Sequence, residues 1–263
     1  MQFVDTHCHI HDLEFFTAEA AEKAYQSALN RGVDCMLCIA TSLEDSKQAI
    51  TFAQKHQEHA RASIGIHPHE AVKYSEEELR IQLHELSHLV DTSSVVAVGE
   101  CGFDFYYNDK TTALALQEVL LEGQLAIAQK YDLPLSFHVR EAFEDFWRVF
   151  EQHQNLRGVL HSFTDRPHNL ERALSHGLKI GVNGIATFTA HEWQLDLFKN
   201  IGLKNLILET DSPFLTPKPK RGTINTPENV IYITNFLAEL RGESEELLAE
   251  ITTNTATELF KLT

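Results

Sequence analysis

Six side chains with metal-binding chemistry stand at wide intervals along the chain: His7, His9, Glu100, His138, His161 and Asp211. Imidazole nitrogens bind zinc, iron, copper and nickel, whereas carboxylate oxygens suit magnesium and manganese. His7 and His9 lie two positions apart in D-T-H-C-H, so in an extended backbone both rings point to the same side. With Asp211 they make one half-site, His138 and His161 make a second, and Glu100 lies between them and can bridge. Two cations about 3.5–4 Å apart can hold a hydroxide at neutral pH and stabilise both the attacking and the leaving oxygen of a displacement at phosphorus. The competing reading, a polar core satisfied by hydrogen bonds alone, requires all of these groups to be buried together for no chemical purpose.

Such residues can meet only if the fold gathers them. Short apolar runs at 2–5, 34–40, 61–66, 95–99, 134–138, 158–161, 178–182 and 205–210 read as strands. Amphipathic stretches near 17–30, 43–57, 75–91, 111–131, 141–153, 167–176, 190–200, 227–241 and 243–260 read as helices. The alternation predicts an α/β chain folded as a single (β/α)8 TIM barrel over residues 1–263, with a doubly wound open sheet as the competing architecture. A length of 263 residues and an apolar fraction of 43% suffice for one sizeable core. In a barrel, functional groups come from the C-terminal ends of strands. Those ends read D-T-H-C-H, G-I-H-P-H, V-G-E-C-G, S-F-H-V-R, V-L-H-S-F and L-E-T-D-S-P, and they carry every candidate ligand.

Two other motifs invite a metal reading and do not sustain it. His84-Glu85-x-x-His88 has the spacing of a zinc protease helix. Leu79, Leu83, Leu86 and Val90 form the apolar stripe of that helix, however, and at about 100° per residue both histidines fall well outside it, on the solvent side. Cys35 and Cys38 make a C-x-x-C inside a predicted strand, where residues three apart face opposite ways. Both read as small buried hydrophobes. Cys8 lies between the two first histidines and points away from them, and Cys101 receives no role.

A formal charge of −16 argues against a broad nucleic-acid grip, because such a grip neutralises phosphates with Lys and Arg. Near the predicted mouth, though, His67 and Arg140 could meet a phosphate, and T-P-K-P-K-R-G supplies Lys218, Lys220 and Arg221 just beyond Asp211. A narrow basic patch without an evident basic stripe or aromatic platform suits a small or end-bound substrate, and single strands more than duplex. The four cysteines suggest no disulfide framework, and the first residues show no secretory signal. A soluble, cytoplasmic chain without membrane spans is therefore expected, its oligomeric state left open.

In order along the chain, D-T-H-C-H, G-I-H-P-H, G-E-C-G-F-D, H-V-R, H-S-F, E-T-D-S-P, R-G and the late N-T-A-T-E-L-F resemble the TatD-like metal-dependent hydrolases, or TatD deoxyribonucleases, of the amidohydrolase superfamily. The resemblance spans essentially the whole chain. It implies a (β/α)8 barrel, two divalent ions (Mg2+, Mn2+ or Zn2+) and hydrolysis of phosphodiesters in DNA or RNA, with a 3′-to-5′ preference. Carried over by position, His7, His9 and Asp211 bind one ion, His138 and His161 the other, and Glu100 bridges. Glutamate in that place, where many amidohydrolases use a carbamylated lysine, puts the chain in the glutamate-bridged branch. Two departures touch no ligand: Cys101 replaces a small aliphatic residue, and Thr164-Asp165-Arg166-Pro167 lacks a glycine common after the sixth strand.

The expected mechanism has Asp211 help orient and deprotonate a metal-held water, Glu100 set the metal spacing and Glu209 support the ligands from behind. Two further readings follow: ester or amide hydrolysis, such as deacylation of mischarged aminoacyl-tRNA, and a non-catalytic metal-binding partner protein.

Overall fold

In a computed structural model, which describes residues 1–262, eight parallel strands lie side by side in chain order. They are β1 (Phe3–Cys8), β2 (Val33–Cys38), β3 (Ala60–Ile64), β4 (Val95–Asp104), β5 (Leu135–Arg140), β6 (Gly158–Leu160), β7 (Lys179–Val182) and β8 (Leu206–Leu208). Helices α1 (Ala18–Asn30), α2 (Leu43–Lys55), α3 (Glu76–Ser87), α4 (Lys110–Tyr131), α5 (Phe143–Phe150), α6 (Pro167–Ser175), α7 (Glu192–Asn200) and α8 (Val230–Arg241) follow the strands in turn, and α9 (Glu245–Phe260) ends the fold. This is the (β/α)8 barrel, and the open doubly wound sheet is excluded. Among the described residues, no helix is long and apolar enough to cross a membrane.

The first and last strands close the barrel through the segments beyond them. Thr6 Oγ1 donates to the Leu208 carbonyl at 2.9 Å, Asp211 N donates to the His7 carbonyl at 2.8 Å, and His9 N donates to the Ser212 carbonyl at 2.8 Å. Inside, Val4, Cys35, Leu37, Ile39, Ala97, Val159 and Ile207 pack together with Leu259 and Phe260 of α9, which seals the floor. Cys38 belongs instead to the outer layer between strands and helices, so the two cysteines of C-x-x-C serve different cores. Leu79, Leu83 and Leu86 bury the inner face of α3, and a capping box of Ser75 and Glu78 starts it. Each buried side chain of this kind stabilises the fold by about 1.5–3 kcal/mol.

Two strands run further than their composition predicts. β1 continues through Thr6, His7 and Cys8 because Cys8 still pairs with Cys38, after an irregularity beyond Asp5. β4 does not stop at Gly99 but reaches Asp104, which pairs with Arg140. Its glycines serve close packing: Gly99 has φ +139°, and a Cβ there would lie 2.4 Å from the Ser136 carbonyl. At the other end, α3 stops at Ser87, so Val90 lies past the helix that its spacing suggested.

Candidate metal centre

Two irregularities in the ladder fall where a candidate ligand sits, between Asp5 and Cys8 in β1 and between Val98 and Cys101 in β4. The register of β4 against β5 slips between Val98 and Cys101, and Glu100 occupies the slip. Such a bulge re-aims a side chain. Glu100 is 4% exposed and points into the C-terminal mouth, where β1 contributes His7 and His9. Asp211 adopts φ +58°, a left-handed conformation that aspartate tolerates better than most residues. That turn brings its carboxylate back over the same histidines.

Five imidazoles converge on these two acids. His7 Nε2 lies 3.5 Å from Glu100 Oε2 and 3.6 Å from Asp211 Oδ1. His9 Nε2 is 3.4 Å from Asp211 Oδ1, and His138 Nδ1 is 2.7 Å from Glu100 Oε1. His161 Nε2 reaches Glu100 at 3.8 Å and Asp211 at 3.9 Å, while His67 Nε2 is 3.7 Å from Glu100. The other ring nitrogen of each is engaged outside this centre. His9 Nδ1 meets the Ile39 carbonyl at 2.8 Å, His161 Nδ1 faces Glu209 at 3.0 Å, and His138 Nε2 meets Asp104 at 2.9 Å. Outer partners of this sort fix the tautomer and orientation of metal-binding imidazoles.

Buried imidazoles and acids set one another's charge. Burial would raise the Glu100 and Asp211 carboxyls, but the surrounding histidines more than reverse this and hold both below the ordinary range. Burial likewise works against protonated His138 and His161, yet Asp104 and Glu100 push the first up to about 9, and Glu209 foremost pushes the second to about 10. Protons therefore supply positive charge that divalent ions would supply. His7 differs: burial and the neighbouring His161 lower it, and its Nε2 is a buried nitrogen with no hydrogen-bond partner. An unpartnered ring nitrogen beside two carboxylates is what a cation site requires, so the residues fit divalent metal.

Three groups of potential donors lie close enough to hold an ion: His7, His9 and Asp211; His7, His161 and Glu209; and His67, Glu100 and His138. The spacing-based grouping put His138 with His161. In the structure His138 groups with His67 and Glu100, whereas His161 stacks on His7 with ring centroids 3.5 Å apart. Glu209 is fully buried and also accepts from Ser162 N at 2.7 Å. Gly181 makes this possible, since a Cβ there would lie 2.3 Å from Glu209 Oε2.

Arg140 and Arg221 do not join the cluster. The Arg140 guanidinium lies 3.7 Å from the Tyr106 ring centroid, and Arg221 lies 4.0 Å from that of Phe188 while donating to the Thr216 carbonyl. Both are on the mouth side, Arg140 at the C-terminal end of β5 and Arg221 in the segment after β8. A cleft of about 200 Å³ opens beside His161, walled by Arg140, Phe143, Thr164 and Asp165. The departing Thr164 loop thus borders the centre directly.

Several contributors escaped the motif reading. Asp104 contacts His69 Nε2 at 3.0 Å as well as His138. Asp5, pushed up to about 8 chiefly by burial, accepts from Thr210 N at 2.8 Å and so fixes the approach to Asp211. His11 pairs with Asp45 at 3.0 Å beside Cys38. The signal for Asp104 was the acid closing G-E-C-G-F-D. His84 and His88 lie exposed on α3 and its cap, in contact with each other and remote from every metal-binding group found among the described residues.

A barrel with clustered histidines and acids at its C-terminal mouth is the architecture of metal-dependent hydrolases. The family model for TatD related DNase matches residues 4–261. The chain is 31% identical to the uncharacterized metal-dependent hydrolase YjjV of Escherichia coli K12, over 99% of this chain and 98% of that one. It is 33% identical to the 3′-5′ ssDNA/RNA exonuclease TatD of Pantoea ananatis, over 93% and 95% of the two chains. The crystal structure of YjjV superposes with a TM-score of 0.89 at 30% identity, covering 99% of this chain and 98% of that one. A lactonase related to phosphotriesterases, from Deinococcus radiodurans, shares the fold alone, with a TM-score of 0.67 at 12% identity over 98% and 95% of the two chains. The chain belongs to the TatD family and is a metal-dependent hydrolase.

Proposed function

We propose that the protein is a two-metal exonuclease that removes nucleotides from the 3′ ends of single-stranded DNA or RNA. The observation that carries this reading is the convergence of His7, His9, His67, His138 and His161 on Glu100 and Asp211, with the His7 Nε2 nitrogen unpartnered. Exonuclease relatives match along nearly the same length, which supports the substrate class.

His7, His9 and Asp211 would hold one divalent ion; His138 and His161, whose ring centroids lie 6.3 Å apart and which both approach Glu100 Oε1, would hold the second, and Glu100 reaches both groups. Bound there, two ions of magnesium, manganese or zinc would make hydroxide available at neutral pH and offset charge on the phosphoryl oxygens. Asp211 is ionised and faces the mouth, so it can take the proton of the attacking water. Glu209 holds the His161 ring from behind. His67 has a different part. Its Nδ1 accepts from His69 N at 3.1 Å, and burial keeps the ring neutral, so its proton sits on Nε2. A neutral imidazole donor facing Glu100 suits a phosphoryl or leaving oxygen better than a metal. Arg140, at the end of β5, and Arg221, in the segment after β8, meet the phosphates of the following nucleotides.

The test strips metal with chelator, restores magnesium, manganese or zinc singly, and follows shortening of end-labelled single-stranded DNA by wild type and Glu100→Gln. Metal-dependent shortening from the 3′ end, with loss of activity and metal in Glu100→Gln, supports the proposal. No cleavage with any metal by a protein that binds two ions moves the assignment to carbonyl chemistry such as deacylation.

A further inference from the structure

Large apolar rings on a monomer surface call for explanation when they flank a catalytic mouth. Phe15 and Phe214 are 44% and 45% exposed, and Tyr106 and Tyr107 are 52% and 67% exposed. They form two edge-to-face pairs, with centroids 5.0 Å apart for the phenylalanines and 4.6 Å apart for the tyrosines. Each pair abuts the histidine cluster. Phe214 lies 6.2 Å from the His9 ring, and Tyr107 lies 5.2 Å from His69, which in turn meets Asp104 and lies 6.3 Å from the His138 ring. Rings in contact therefore run from Phe15 through Phe214, His9, His7, His161, His138 and His69 to Tyr107, with the metal-binding histidines in the middle.

Core packing does not explain these residues. The four rings come from three different places: the turn after β1, the segment after β8, and two adjacent positions after β4. All four are substantially exposed, outside the buried core. The Arg140 guanidinium carbon lies 3.7 Å from the Tyr106 centroid and 5.2 Å from that of Tyr107, which places a cation beside the tyrosine pair. Exposed aromatic rings next to a guanidinium match the chemistry of an unpaired nucleotide, a π face joined to an anion. Stacking of bases on aromatic side chains tolerates any sequence, because every base offers a π face.

We propose that Phe214, backed by Phe15, and Tyr107, backed by Tyr106, are stacking platforms for the two nucleobases that flank the scissile phosphodiester. The proposal rests on the nuclease reading above and supplies what that reading lacks, a reason for single strands. Bases in a duplex pair through their edges and stack their faces on the neighbouring base pairs, so they cannot lie on both platforms. The stretch between the platforms is lined by the histidine cluster, so a strand bridging them carries its phosphodiester over Glu100 and Asp211.

The test measures KM for single-stranded oligonucleotides ending in normal bases, or with an abasic unit at the terminal or the penultimate position. Wild type, Phe214→Ala, Tyr107→Ala and the ring-keeping Phe214→Trp and Tyr107→Phe are compared, each with metal content checked. Stacking of this kind predicts about a tenfold rise in KM for each alanine variant. The rise should be recovered by the ring-keeping variant. Removing the base that a platform holds should cost wild type about as much, and base removal combined with the matching alanine change should cost no more than either alone. Independent, multiplying losses, or KM values within twofold of wild type for both alanine variants, overturn the platforms while leaving the nuclease intact. A wild type that cleaves none of these strands with any metal overturns the nuclease reading, and this proposal with it.

Discussion

Asp104 Oδ2 lies 2.9 Å from His138 Nε2, at the end of a strand whose central bulge carries the glutamate that meets the same ring from the other side. Asp104 is fully buried and ionised; burial opposes that charge, but His138 and His69 hold its carboxyl far below the usual range. Replacing Asp104 with Asn keeps the shape but removes the charge that orients the ring. Metal affinity on the His138 side should fall by about 10–100-fold, as for other outer partners of metal-binding histidines. Competition against a chelating dye measures this; unchanged affinity would show that Glu100 alone fixes His138.

Proton release should accompany metal binding. His138 and His161, raised to about 9 and about 10, hold protons at pH 7.5 in the metal-free protein, and each must give one up to ligate a cation. Calorimetric titration with metal in buffers of different ionisation heat should report roughly two protons released per chain. Affinity should climb as pH rises toward those values. A buffer-independent heat would contradict the charge assignment.

The same two groups make the stability of metal-free protein depend on pH. Their folded pKa values lie above the ordinary histidine value near 6.5, so the stability they contribute is complete below that pH. It is lost as pH rises through about 9 and about 10. Between pH 7 and 10 the Tm of stripped protein should fall more than that of metal-loaded protein. Parallel curves would mean that the rings are neutral throughout.

Gly181→Ala is expected to damage the site without removing a ligand. The new methyl would meet Glu209 Oε2 at 2.3 Å in a fully buried place, so the carboxylate must move and His161 loses its outer partner. Circular dichroism should stay that of the barrel, while metal affinity falls by about tenfold or more. Full affinity with an intact fold would show that Glu209 is dispensable to His161.

His84→Ala combined with His88→Ala should change neither metal content nor kcat/KM, and stability by no more than about 0.5 kcal/mol, because both rings are exposed on the outer wall. Loss of one ion in that variant would reveal a second, peripheral site.

The strand-then-helix alternation was enough to expect the barrel, since period and length of apolar runs are local properties of the chain. The six expected ligands stood at strand ends, where any barrel places its chemistry. What stayed hidden depends on three-dimensional detail. Asp104 belongs to a strand that glycines at 99 and 102 made look finished, although those glycines permit a close approach to β5 rather than a stop. The role proposed for His67 rests on a backbone hydrogen bond from His69 N to its Nδ1, which residue types do not encode. The rim rings come from separate loops, so no stretch of sequence displays them as a group.

Closure of the barrel also sets a schedule. His7 and His9 emerge first during synthesis, but their backbone partners at Asp211 and Ser212, and the carboxylate that completes their metal group, emerge near the end. At about 5–20 residues per second, the histidines wait roughly 10–40 s for that partner. A nascent chain therefore presents loose imidazoles rather than a finished chelate. The ion acquired is chosen from the metals present where the completed polypeptide folds, after the ribosome has made nearly all of it.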